Sequence, residues 1–177
     1  MIPTIGWPAI QRNLEQPFLL LATKKTKTMQ KEIDRASEAG YRLKVGSNTS
    51  GSEVMVLMER QPEGSPKYEY HLLATSSGDT MRKELNEAAS RGFRVRPSTI
   101  INKRRPFLGP EILIILEKGP AGTTQYEYEV LATNKTSTLQ KELNEVLEGD
   151  SGFKLIGMAS PGEHFAILER PVQGDSD

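Results

Sequence analysis

The chain has 177 residues, about the size of one ordinary domain. Hydrophobic residues make up 36% and charged residues 26%, with 23 Lys plus Arg against 23 Asp plus Glu. That balance argues against a uniformly basic nucleic-acid binder and against an acidic disordered tail, and the absence of cysteine excludes disulfides, thiolate nucleophiles and Cys-containing metal sites.

Residues 1–13 follow no periodic pattern and read as an N-terminal extension. Met1–Trp7 has no basic stretch followed by a long apolar segment, so no signal peptide is expected in this chain. The longest apolar runs, such as Ile112–Leu116, fall far short of the roughly 20 residues that span a bilayer. A soluble protein without membrane insertion is expected, either cytoplasmic or exported with a leader removed.

Phe18-Leu-Leu-Leu-Ala-Thr23 is the first strand signal. A short polar loop leads to Thr28-Met-Gln-Lys-Glu-Ile33, which opens an amphipathic helix ending at Gly40, a residue suited to a left-handed helix terminus. Tyr41, Leu43 and Val45 then alternate with Arg42 and Lys44, predicting a strand with those three apolar residues inward. Val54 to Met58 is apolar on both faces, so this third strand should be buried on both sides.

The same order recurs twice. Tyr70-His-Leu-Leu-Ala-Thr75 and Tyr128-Glu-Val-Leu-Ala-Thr133 match the first strand, and Thr80-Met-Arg-Lys-Glu-Leu85 and Thr138-Leu-Gln-Lys-Glu-Leu143 match the helix. Gly92-Phe93 and Gly152-Phe153 match Gly40-Tyr41, and Glu117-Lys118 and Glu169-Arg170 match Glu59-Arg60 at the close. The offsets are 52 and 58 residues. Such recurrence marks an internal repeat. Ser/Thr/Asp residues such as Asp79-Thr80 and Ser137-Thr138 read as helix starts, and Ser137 with Gln140 has capping-box spacing.

The predicted fold is α+β: three tandem β-α-β-β repeats over 14–60, 67–118 and 125–170, with a tail over 171–177. The joins, Pro62–Pro66 and Gly119–Thr124, are turn-rich and short, favouring one compact body. A unit of about 50 residues buries little surface alone, so the antiparallel sheets are expected to pack together with helices outward; pseudo-threefold symmetry is one arrangement that satisfies this.

Tyr126-Glu-Tyr128, Leu143-Asn144, Gly152-Phe153 and Leu168-Glu-Arg170 resemble a short bacterial domain of unknown function, whose pattern is Tyr-x-Tyr, a Leu-Asn helix, Gly-Trp and a terminal Lys or Arg. The resemblance covers each copy nearly end to end and implies a β-α-β-β unit, with no catalytic residue to carry over. This chain has Tyr or Phe where that family has Trp, and Pro17-Phe18 replaces the Tyr pair in the first copy.

Catalytic signatures are few. His71 and His164 occupy non-equivalent positions without ligand partners at i+3 or i+4, GxSxG is absent, and Gly46–Ser52 lacks the lysine of a phosphate loop. Glu84, Glu87, Glu142 and Glu145 read as solvated helix charges, with Lys83–Glu87 and Lys141–Glu145 spaced to pair. No enzyme, metal or cofactor is expected.

Two candidate sites remain. Thr23, Lys24, Lys25 and Thr28, with Thr133, Lys135 and Thr138, bring hydroxyls and lysines to helix N-termini, the ingredients of an anion site. Pro97–Pro110 is several residues longer than its counterparts, and Lys103, Arg104, Arg105 and Phe107 at its tip are the candidate partner contacts. Removing residues 98–109 is expected to leave the fold intact. The first reading is a non-catalytic interaction or structural protein whose partner is a protein, either another copy or a different chain. The alternative is a small-molecule or anion-binding protein using the Thr-rich loops or a pocket between copies. Charge is unevenly divided: the copies hold 8 basic and 6 acidic residues, then 10 and 6, then 4 and 8. That polarity suits either holding the copies together or head-to-tail association between chains; nucleic acid is not the expected partner, and the basic middle copy is the one place with room for a local acidic or nucleic-acid contact.

Overall fold

A computed structural model describes residues 15–120 and 124–172. The N-terminal extension and most of the tail lie outside them. The first segment is β1 (Phe18–Thr23), α1 (Thr26–Glu38), β2 (Tyr41–Asn48) and β3 (Val54–Arg60). The second is β4 (Glu69–Thr75), α2 (Gly78–Ser90), β5 (Arg94–Val95), a 3-10 turn (Pro97–Thr99), β6 (Ile101–Lys103) and β7 (Glu111–Lys118). The third is β8 (Tyr126–Thr133), α3 (Thr136–Leu147), β9 (Lys154–Ala159) and β10 (His164–Pro171).

Each segment forms its own antiparallel sheet, and the third strand signal of each segment takes the central place, in the orders β1-β3-β2, β4-β7-β5 (with β6 also on β7) and β8-β10-β9. This is the physical outcome of the doubly apolar runs. Along β7, Leu113 and Ile115 enter a core shared with the first segment, while Ile112, Ile114 and Leu116 enter a core shared with the third. All five are fully buried, and each such side chain contributes about 1.5–3 kcal/mol relative to exposure.

The helices sit differently from expectation. Their polar sides face solvent, but α1 also packs along β4 of the next sheet and α2 along β8. Among the described residues, one core joins segments 1 and 2, one joins 2 and 3, and a small third core belongs to segment 3 alone. The stack is therefore serial rather than a closed threefold. Each helix covers its own sheet, and α1 and α2 also cover, with one flank, the first strand of the sheet that follows.

Both joints use the same chemistry. At the first, Gln30 of α1 donates to Tyr70 O at 2.9 Å and accepts from Leu72 N at 2.8 Å, satisfying an edge strand that would otherwise be unpaired. At the second, Asn86 of α2 donates to Tyr128 O and accepts from Tyr128 N, both at 2.9 Å. The Tyr70 hydroxyl, buried, accepts from Leu43 N at 3.0 Å and donates to Glu117 Oε2 at 2.8 Å; Tyr128 does the same with Val95 N at 2.9 Å and Glu169 at 3.2 Å. Arg42 forks onto Glu117 at 2.7 and 3.1 Å, and Arg94 onto Glu169 at 2.6 and 3.3 Å. Each guanidinium also lies about 4 Å from a tyrosine ring, Tyr68 or Tyr126. The Tyr-x-Tyr pattern is thus a joint between segments.

Two local expectations change. Val45 is exposed rather than inward, because the β2–β3 register shifts between Leu43 and Val45 and reverses the alternation. The starts of α2 and α3 fall earlier, at Gly78 and Thr136; Ser77 caps α2, and Ser137 lies inside the first turn of α3, so the Ser137–Gln140 capping box does not form. Gly40, Gly92 and Gly152 are left-handed, with φ of 92°, 90° and 71°.

Candidate interaction site at the hairpin end

In segment 2 the extra residues between Val95 and β7 are not one loose loop. Thr99 is fully buried, and its hydroxyl accepts from Ile115 N and donates to Arg96 O, anchoring the 3-10 turn against the central strand. Ser98 donates to Lys44 O at 2.8 Å. The two isoleucines that follow wedge into glycines on either side. A Cβ on Gly46 would stand 2.6 Å from Ile101 Cδ1, and one on Gly157 would stand 2.3 Å from Ile100 Cδ1. Residues 97–103 are therefore structural, and the expectation that 98–109 can be removed without harm fails. The free part of the loop is Arg104–Pro110.

The base of this tip is neutralised. Lys103 is buried, 3.2 Å from Glu111 Oε1, and donates to the Thr26 hydroxyl at 3.2 Å, so it offers nothing to a partner. Arg105 lies 3.2 Å from Glu111 Oε2 and braces the tip by donating to the carbonyls of Gly109 and Leu108. Glu111 was not singled out from sequence, although an acid opening the run Glu-Ile-Leu-Ile-Ile-Leu after three basic residues is a legible sign of an internal ion pair. Arg104 keeps its guanidinium exposed.

Above this brace stands Phe107. Its side chain is fully exposed and its φ is 65°, a left-handed conformation that costs an ordinary bulky residue about 1–2 kcal/mol. Leu108 beside it is 73% exposed. The loop holds two apolar side chains away from the body at a conformational cost.

Hairpin tips of all three segments meet beneath it. Asn48, Thr49 and Gly51–Glu53 of segment 1, Asn102–Pro106 with Gly109 and Pro110 of segment 2, and Ser160–Pro161 of segment 3 line a hollow of about 850 Å³, and Lys24 closes one side. The structure thus brings Lys24, from the anion candidates, to Arg104 and Arg105, from the loop candidates. The other anion candidates do not converge on it. Thr23 and Thr133 accept from the backbone amides of Lys25 and Lys135 at 3.2 and 3.3 Å, so both hydroxyls shape local turns. Thr28 and Thr138 lie inside the first helical turns, while Lys25 and Lys135 point to solvent as N-cap residues without side-chain caps.

A second hollow of about 560 Å³ is lined by Arg42, Arg94, Arg96, Glu117 and Glu169, whose charges are already paired, Arg42–Glu117 and Arg94–Glu169 across the joints and Arg96–Glu117 within segment 2. His71 stacks near Phe93 at 5.7 Å between ring centres, and its pKa is lowered by burial and then by Arg91. His164 Nδ1 lies 3.0 Å from the Ser160 hydroxyl. Lys83–Glu87 and Lys141–Glu145 form the helix-surface pairs expected of them.

No family model, curated protein or solved structure matches this chain. Among the described residues, no helix is long and apolar enough to cross a membrane.

Proposed function

We propose that the chain is a tandem-repeat interaction protein, built of three copies of a short β-α-β-β unit, and that it works by binding a protein partner rather than by catalysis. The observation that carries this reading is the tip of the segment 2 hairpin. Phe107 stands fully exposed in a strained backbone conformation, braced from below by Arg105. Exposed aromatic anchors beside arginine are the residue types that dominate binding energy at protein interfaces. The buried carboxylates Glu111, Glu117 and Glu169 are each committed to lysine or arginine, so their roles are structural.

A photo-crosslinking phenylalanine analogue at position 107 tests the reading in cells that express the full chain, against the same analogue at Lys83 on the exposed side of α2. A discrete protein adduct at 107 and none at 83 is expected. Equal or no adducts at both positions sink it. The hollow beneath the loop supports a second reading, an anionic small molecule held by Lys24 and Arg104. Inorganic phosphate or nucleotides should then raise the melting temperature, and Lys24→Ala or Arg104→Ala should reduce the rise; a flat response across such a panel removes this alternative.

A further inference from the structure

Among the described residues, large exposed apolar side chains gather in three places, apart from Val172 at the end of the last strand. One is the hairpin tip. The other two are the ends of the stack: Phe18, Leu20 and Val45 on segment 1, and Leu147, Leu155 and Met158 on segment 3. These are the surfaces that the internal joints cover elsewhere.

The equivalence is position by position. Phe18 and Leu20 stand where Tyr70 and Leu72 stand in segment 2. Tyr70 and Leu72, under the preceding helix, are 6% and 9% exposed; Phe18 and Leu20, which no helix precedes among the described residues, are 52% and 60% exposed. At the other end, Leu155 corresponds to Leu43 and Val95, which are 0% and 3% exposed beneath the next segment, yet Leu155 is 41% exposed. Leu147 corresponds to Ser37, whose hydroxyl donates to Tyr68 O across the first joint, and Asn144 corresponds to Asn86. Asn144 is exposed. In register, β1 pairs Phe18 with Glu59 as β4 pairs Tyr70 with Glu117, so the outer edge of β1 presents the same backbone groups that Gln30 caps on β4.

We propose that a second copy of this chain docks head-to-tail, its β1 edge and Phe18–Leu20 face seating against α3 and β9 of segment 3. The contact repeats the two internal joints between molecules. Lys154 of β9, in the place of Arg42 and Arg94, faces Glu59 in the place of Glu117 and Glu169. The net charges of the two end segments, −4 for the third and +2 for the first, attract. Phe18 lacks the tyrosine hydroxyl and Lys154 cannot fork onto a carboxylate, so this joint is weaker than the internal ones and sensitive to salt. Because the two faces differ, association is heterologous and propagates as a ring or an open filament. Solenoid proteins avoid this with polar outer faces on their terminal repeats, and here both ends are apolar.

Sedimentation of the full chain over about 1–500 µM tests this directly. The mass-average molar mass is expected to rise with concentration from 19.7 kDa to at least twice that value, and to fall back with added salt. Leu20→Glu at the head and Leu155→Glu at the tail should each remain monomeric, and an equimolar mixture of the two should give a capped heterodimer, since each supplies the face the other lacks. Met158→Glu replaces Leu155→Glu if the latter melts well below the parent. A wild-type chain that stays monomeric overturns the proposal, and so does loss of association from one end only, which would mean a symmetric contact. It is equally overturned if association begins only after residues 1–14 are removed, because that segment is then the occupant. Phe107→Gly with Leu108→Ser should associate like the parent; if it does not, the hairpin is the contact, and the interaction reading survives while the head-to-tail one fails.

Discussion

Replacing Tyr70 by Phe removes one oxygen from the first joint and nothing else. That oxygen accepts from the Leu43 amide at 3.0 Å and donates to Glu117 at 2.8 Å, in a position only 6% exposed. Burial pushes the Tyr70 pKa upward, which keeps the hydroxyl protonated and able to donate to Glu117. Without it the Leu43 amide is left buried and unsatisfied, which costs about 1–3 kcal/mol, and a hydrogen bond to a charged group is lost. Glu117 keeps its fork from Arg42, which limits the damage, so we expect a net cost of about 2 kcal/mol. For a chain of this size that corresponds to a fall in melting temperature of about 4–8 °C. Urea unfolding of the parent and variant, with the midpoint and slope fitted separately, measures it. The same position supplies the control: Phe18→Tyr, on the exposed end of segment 1, adds a hydroxyl with no buried amide to meet and should change stability by less than about 0.5 kcal/mol. If Tyr70→Phe also falls within 0.5 kcal/mol, as estimated on the same scale, the hydroxyl does not hold the segments together and the account of the joint is wrong.

Asn86→Leu should destabilise by about 1–3 kcal/mol, because it strands both the N–H and the C=O of Tyr128 at a part-buried edge; hydrogen exchange at the Tyr128 amide should accelerate with it. Gly78→Ala is expected to destabilise even though alanine favours a helix by about 1 kcal/mol, since its Cβ would lie 2.6 Å from the Ala132 Cβ across the second joint; a neutral or stabilising result in thermal melts would show that the joint yields there. His71 has a lowered pKa, so its neutral form is favoured in the folded state. Its contribution to stability is fully present above the unfolded value of roughly 6.5 and is lost as pH falls below it. The stability difference between parent and His71→Gln should therefore shrink or reverse between about pH 7 and pH 5, and a pH-independent difference would refute the assignment.

Much of this molecule is decided within single segments. The recurrence of Leu-Ala-Thr, Lys-Glu-Leu and Gly-aromatic anchors determines three strand–helix–strand–strand units, because alternation, helical stripe and left-handed glycine are all local properties of a short stretch of chain. The doubly apolar run Ile112–Leu116 even announces a strand covered on both faces. What covers it is not local. Whether a helix ends outermost or wedged against the next sheet depends on how Gln30 and Asn86 meet edge strands some 40 residues away, and nothing in their own neighbourhoods distinguishes them from solvent-facing amides. The same holds for Lys103, which reads as one more exposed base until Glu111 and Thr26 close on it. The long loop shows the division most clearly. Its length and its basic, aromatic tip are plain in the sequence, but Ile100 and Ile101 become a wedge only because Gly46 and Gly157, one in each neighbouring segment, leave room for them. Local patterns determine which faces are apolar; only the packing of one segment on the next decides which of those faces are spent internally, and so which two, at β1 and at α3, are left over.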